Sequence, residues 1–198
     1  GIDTNEGHKS FDEVAAAIAA AVDALLDDPA RASGVCGAIA NPATLSRVDA
    51  ARSAGRVVRP SSPLAAGRSA TPLIVAVDAK ETRVHEEECF GPIAFVVAVD
   101  SAEAGIDAAA NLARRKGAIT AALYDTDEPR IAVAVKAFAR AGVNLSINLT
   151  GNIFVNQSAA FSDFHVTGAN PAGNASLTDT AFVANRFRLA MWRRPKAA

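Results

Sequence analysis

Two uninterrupted apolar runs, Leu73-Ile74-Val75-Ala76-Val77 and Ile93-Ala94-Phe95-Val96-Val97-Ala98-Val99, constrain this chain more than any other feature. Both have the length and composition of strands. Between them stands Glu86-Glu87-Glu88-Cys89-Phe90-Gly91-Pro92, which joins an acidic run, an aromatic residue and a Gly-Pro turn. A loop pinned between two strands lies at a sheet end, where ligands of α/β proteins usually bind. Beyond it, Ser101 is placed to cap a helix reaching Arg115, and Gly117 ends that helix. Thr120 to Tyr124 reads as a strand. Pro129 suits the first turn of a helix running to Ala141, with Gly142 just past its end. Val143 to Ile147 and Asn152 to Val155 read as strands linked through Thr150-Gly151. The alternation predicts an α/β fold: a largely parallel open sheet with helices on its two faces.

Upstream, Ser10-Phe11-Asp12-Glu13 has the form of a capping box, in which hydroxyl and carboxylate each satisfy an orphan amide. An Ala-rich helix follows to Leu26, with Val14, Ile18, Val22 and Leu25 on one face. Asp27-Asp28-Pro29 stops it. A glycine-punctuated loop from Gly34 to Pro42 then leads to a short helix near Leu45 to Ser53, closed by Gly55. Residues 56–71 hold a short strand and a Pro/Ser/Gly loop. No stretch reads as a linker, so the 198 residues are expected to form one domain.

Half of the residues are hydrophobic, which argues for a globular chain and against disorder. Lys plus Arg is 20 and Asp plus Glu is 21, a balance that gives no electrostatic reason to expect nucleic acid or an anionic membrane as partner. The basic tail Arg186, Arg188, Arg193, Arg194 and Lys196 alternates with hydrophobics and reads as a solvated edge strand. Cys36 and Cys89 cannot make a disulfide framework, which fits a reducing cytoplasm. In such a compartment the Asn-x-Ser/Thr matches at Asn144, Asn148, Asn156 and Asn174 are chance. No apolar run is long enough to span a bilayer. His8, His85 and His165 are scattered without partners at ligand spacing, so a metal site is not expected.

Glu88-Cys89-Phe90-Gly91-Pro92 resembles the E-x-F-G-P signature of the aldehyde dehydrogenase superfamily. The resemblance extends along the chain in the family's order. Leu25 to Ile39 is similar to its post-nucleophile helix and loop, with Gly37-Ala38-Ile39 in place of the usual G-P-L-I. Asp100 to Ile106 followed by Asn111, and then Thr120 to Asp127, resemble a strand-to-helix stretch and the next strand and turn. Ala141-Gly142-Val143 and Asn152-Ile153-Phe154-Val155-Asn156 resemble the two halves of a late segment, with an insertion between them. In residues 157–175 the usual F-G-G-x-K-x-S-G-x-G run is replaced. The ending there, with Asn156-Gln157-Ser158 and Asp163-Phe164-His165, is most similar to the phenylacetate-degradation branch.

The resemblance implies that residues 1–198 are a truncated C-terminal part of the catalytic domain, beginning after the nucleophilic Cys. On this reading the nucleophile, the general-base Glu and the nucleotide-binding domain lie upstream, and the segment alone is expected to be inactive. It implies that Glu88 hydrogen-bonds the nicotinamide ribose of NAD or NADP and that Phe90 packs beside the nicotinamide ring. Phe161 and Phe164 fall where the family lines its substrate tunnel. The implied substrate is an aldehyde, in this branch a CoA-linked semialdehyde, with an acid or an acyl-CoA as product. A C-terminal strand near 186–194 is implied to make contacts in a homo-oligomer.

Each assignment has a plainer rival. Glu86 to Glu88 can be a solvated acidic run, Phe90 core packing, and His165 beside Asp163 a surface histidine. Cys36 reads as a small buried hydrophobe. Cys89 follows three carboxylates whose charge opposes a thiolate, so it is not read as a nucleophile. The rival for the whole chain is a free-standing, non-catalytic α/β module that assembles with partner subunits.

Overall fold

The computed structural model describes residues 1–64, 67–118, 120–150 and 192–195. The expected strand at Asn152 to Val155 lies outside the described residues. The chain divides after Val99 into two compact units, Gly1–Val99 and Asp100–Ala198. No Pro-, Gly- or Ser-rich stretch marks the division, which is why the sequence reads as one domain.

The first unit opens with an antiparallel hairpin that no local pattern predicts, β1 (Ile2–Thr4) and β2 (Gly7–Lys9). Helix α1 (Phe11–Leu26) starts at the capping box: the Ser10 hydroxyl accepts from the Glu13 amide, and Glu13 accepts from the Ser10 amide at 2.7 Å. Its buried face is not the expected one. Ala15 and Ala19 are buried; of the expected stripe Val14 and Val22 are half-buried, whereas Ile18 and Leu25 are exposed. Asp12 and Asp23 pair with Arg56 and Arg59 of β3 (Arg56–Arg59), and the two alanines fall on the face between them. Small side chains there let the helix lie close to the strand.

Asp27-Asp28-Pro29 does end α1, but a second helix, α2 (Pro29–Cys36), begins at once. The Asp28 carboxylate accepts from the Ala30 and Arg31 amides, and Pro29 takes the first helical position, where no amide is needed. Helix α3 (Ala43–Ala51) follows a short loop. Strand β4 (Leu73–Asp78) is antiparallel to β3 and parallel to β5 (Ile93–Ala98), with the one-turn helix α4 (Thr82–His85) between β4 and β5. Leu73, Val75 and Val77 point with Val48 and Ala51 into the core of this unit.

The second unit follows the expected alternation closely. Ser101 caps α5 (Ala102–Lys116), β6 (Thr120–Leu123) follows, and Asp127 caps α6 (Glu128–Ala141) with Pro129 in its first turn. Gly142 takes φ 73°, the left-handed conformation that terminates a helix without a Cβ penalty. Strand β7 (Asn144–Ile147) pairs in parallel with β6 and with β8 (Trp192–Arg193). Ile106, Ala110 and Ala113 of α5 and Ile131, Ala134 and Phe138 of α6 recur at helical spacing and pack with Leu145 and Ile147. The fold is α/β with predominantly parallel pairing; β3 supplies the antiparallel exception in the larger sheets. Among the described residues, no helix is long and apolar enough to cross a membrane.

Candidate cofactor site

The parallel register of β4 and β5 places Leu73 opposite Ile93, and the Leu73 amide donates to the Pro92 carbonyl at 2.8 Å. Gly91-Pro92 therefore sits at a sheet end, as the sequence suggests. It is the amino-terminal edge of the strand pair, however, and not the carboxyl edge where open parallel sheets most often bind ligands.

Three consecutive residues of this loop have different surroundings. Glu88 is exposed, and its carboxylate makes no hydrogen bond or ion pair among the described residues. Cys89 is half-buried and packs on the core around Val48, Leu73 and Val75. Phe90 is 71% exposed and so lies outside the core of the described residues. The inward Cys89 anchors the loop and leaves the carboxylate and the phenyl ring on the surface. Cys36, expected to be buried, is half-buried at the end of α2.

The loop borders a cleft of about 530 Å3 whose opposite side is Ala38 to Asn41 and Thr44. That side is held by Arg68, whose guanidinium donates to the Ala40 carbonyl at 2.8 Å and whose own carbonyl accepts from the Ile39 amide at 2.7 Å. The Asn41 side chain accepts from the Ala43 amide at 3.0 Å and starts α3. From the second turn of α3, Arg47 donates through Nε to the Phe90 carbonyl at 2.8 Å and through Nη2 to the Thr44 hydroxyl at 3.0 Å. Gly91 has φ +155°, and a Cβ there would lie 3.0 Å from the Thr44 methyl. Only glycine combines that backbone with that approach.

Arg47, Thr44 and Arg68 are the positions that the sequence does not reveal. Arg47 is 43 residues from the carbonyl it holds, and no local pattern records such a pairing. Among the candidate residues, the structure brings Glu88 and Phe90 to one cleft. Phe161, Phe164 and His165 lie outside the described residues. His8 pairs with Asp3 at 2.8 Å, and His85 contacts the Ala79 carbonyl at 3.1 Å.

The sequence profile of the aldehyde dehydrogenase family matches residues 8–173. The chain belongs to the aldehyde dehydrogenase family. A crystal structure of an NAD-dependent aldehyde dehydrogenase from Burkholderia multivorans is similar to it at 52% sequence identity, with a TM-score of 0.80. That likeness covers 95% of this chain and 35% of the solved one, so the chain spans about a third of that aldehyde dehydrogenase. A search of curated proteins gave no match. Within this family, the loop from Glu88 to Pro92 stands in the cleft just described as the segment carrying the E-x-F-G-P pattern.

Proposed function

We propose that this chain is the C-terminal part of the catalytic domain of an NAD(P)-dependent aldehyde dehydrogenase, and that its cleft positions the nicotinamide end of the cofactor. The observation that carries the reading is the pairing of a carboxylate that has no partner among the described residues with a largely exposed phenyl ring on an anchored loop. A solvated acidic run would give no reason to hold the backbone beside it. A ribose offers two vicinal hydroxyl donors to one carboxylate, and a flat heteroaromatic ring covers a phenyl face; both groups of the cofactor fit what the loop leaves open. When bound, the nicotinamide supplies the acceptor for the hydride that leaves the aldehyde carbon.

The residues of this chain act by placement. Glu88 fixes the ribose and so limits the swing of the ring attached to it. Phe90 gives the ring a wall and keeps water from one side of it. Neither cysteine is assigned as nucleophile, since Cys89 is turned into the core and Cys36 closes α2. The thiolate and the base that completes the oxidation belong, on this reading, to a longer polypeptide. NAD is favoured over NADP by the likeness to an NAD-dependent enzyme. The divergent segment 157–175 supports a CoA-linked semialdehyde of phenylacetate degradation as the aldehyde, with Phe161 and Phe164 lining its path. An acid product is favoured, and the two free thiols fit a cytoplasmic setting. Among the described residues β8 is at the sheet edge with Trp192 exposed, which supports assembly into a homo-oligomer through the C-terminal strand.

The test is aldehyde-dependent reduction of NAD(P) by the full-length polypeptide, with and without the double change Glu88→Ala and Phe90→Ala. Loss of about two orders of magnitude in kcat/KM is expected, in line with the cost of misplacing a reacting group. An active enzyme indifferent to both changes would remove the site assignment.

A further inference from the structure

We propose that Arg47 is a positioning residue for the nicotinamide end of this cleft, an inference that rests on the reading above. The loop has an anchor on each side of its ligand-facing residues. On one side the Glu86 amide donates to the Thr82 carbonyl at 2.9 Å; on the other the Leu73 amide donates to the Pro92 carbonyl at 2.8 Å. Glu88 and Phe90 lie on the span between. There the Arg47 guanidinium holds the Phe90 carbonyl with one nitrogen and the Thr44 hydroxyl with another. Thr44 is buried, so it fixes the guanidinium from the protein side.

Holding a carbonyl fixes a peptide plane, because the peptide unit is rigid. The plane held here joins Phe90 to Gly91, and its orientation sets the direction in which the Phe90 side chain leaves the backbone. Gly91, packed against the Thr44 methyl at φ +155°, continues the same contact with α3. The height of the loop over the cleft is thereby set by α3 as well as by the β4–β5 pair. The Arg47–Phe90 bond is exposed to solvent, so water can replace the lost donor when Arg47 is changed. The consequence is greater freedom of the loop with little loss of global stability. A purely structural arginine would behave in the opposite way.

The experiment compares two ligands on the full-length polypeptide: the nicotinamide cofactor it uses, and ADP, which lacks the nicotinamide ribose. Arg47→Met is expected to weaken the cofactor about tenfold, the equivalent of one charge-assisted hydrogen bond, and to leave ADP within about twofold of the unchanged protein. Arg47→Lys, which keeps a donor but not the fork, is expected to recover part of the loss. If Arg47→Met does not fold, Thr44→Val decides the matter, since it removes the acceptor and keeps the methyl group that meets Gly91. It should weaken the cofactor in the same selective way by about threefold. Equal weakening of cofactor and ADP, or no weakening of either, overturns the proposal. Glu88→Ala and Phe90→Ala in the same assay separate the two readings. If they leave cofactor affinity unchanged, the cofactor site itself is wrong. If they weaken it while Arg47→Met and Thr44→Val do not, only the positioning role is lost.

Discussion

The loop entering β5 carries Glu88 with no protein partner among the described residues, whereas the turn leaving β6 uses its carboxylate within the protein. Asp125 accepts from Arg130 Nε at 2.6 Å and Nη2 at 3.0 Å, and it also accepts from the Asp127 amide at 2.9 Å. Asn148, at the end of β7, accepts from the Asp125 amide at 2.9 Å and donates to the Asp125 carbonyl at 2.7 Å. Tyr124 donates to the Leu149 carbonyl at 2.9 Å. This turn is at the carboxyl edge of a parallel pair, where topology alone would look for a ligand. The Glu88 loop is at the amino edge of its own pair. The Asp125 carboxylate at the carboxyl edge is spent within the protein, and the Glu88 carboxylate at the amino edge has no partner among the described residues. In this chain the candidate site is recognised by unsatisfied chemistry on an anchored loop, and not by which end of a sheet it occupies.

The comparison can be broken or sharpened by mutation, and the sealed turn should respond most. Asn148 has φ 53°, a left-handed backbone that Asn tolerates better than other non-glycine residues. Asn148→Ala removes two hydrogen bonds from half-buried backbone and keeps the strained conformation. We expect about 2–3 kcal/mol of destabilisation in denaturant unfolding of the full-length polypeptide. A loss under about 0.5 kcal/mol would mean that the turn is not sealed by Asn148.

Next in size is Gly91→Ala, which places a methyl against Thr44 in a backbone that glycine favours. A destabilisation of about 1–2 kcal/mol is expected, together with weaker cofactor binding. Unchanged cofactor binding would show that the Thr44 contact does not shape the site.

A third prediction concerns acid. The hydrogen bond from Arg130 holds the Asp125 carboxyl below the ordinary carboxylate range, and Arg130 is correspondingly raised. The native value is depressed, so this pair contributes fully above about pH 4 and is lost as pH falls through that lower value. Asp125→Asn should reduce stability at neutral pH and flatten that part of the acid limb. An acid limb identical to that of the unchanged protein would show that the carboxylate is not coupled to folding.

The smallest effect on stability is expected at the candidate site. Glu88→Gln and Phe90→Ala, both at exposed side chains, should each change unfolding free energy by less than about 0.5 kcal/mol while cofactor affinity falls. A large loss of stability from Phe90→Ala would move that residue from the ligand to the core.

Much of the second unit can be read directly from its residues, because each signal there acts over a few positions. Ser101, Asp127, Pro129 and Gly142 start and stop their helices through bonds to neighbouring amides and carbonyls. The Ser10–Glu13 capping box is local for the same reason. The beginning of α2 was also written locally, in Asp28 before Pro29, but the same residues equally mark a stop. The E-x-F-G-P pattern locates the candidate loop, since it is contiguous and flanked by two apolar runs.

What the residues could not state is how distant elements face each other. The α1 stripe predicts burial of Ile18 and Leu25 because they outrank alanine in hydrophobicity. The buried residues are Ala15 and Ala19, on the face whose Asp12 and Asp23 meet Arg56 and Arg59 of another element. Phe90 in sequence fits a core or a ligand wall equally, and only its exposure in the fold separates the two. Arg47 had no distinguishing mark until α3 brought its guanidinium to a carbonyl 43 residues away. Caps, turns and apolar runs are short-range and are written in order along the chain. Burial, exposure and side-chain partnership across elements are set by packing, where the fit between whole elements overrides the hydrophobicity of any single residue.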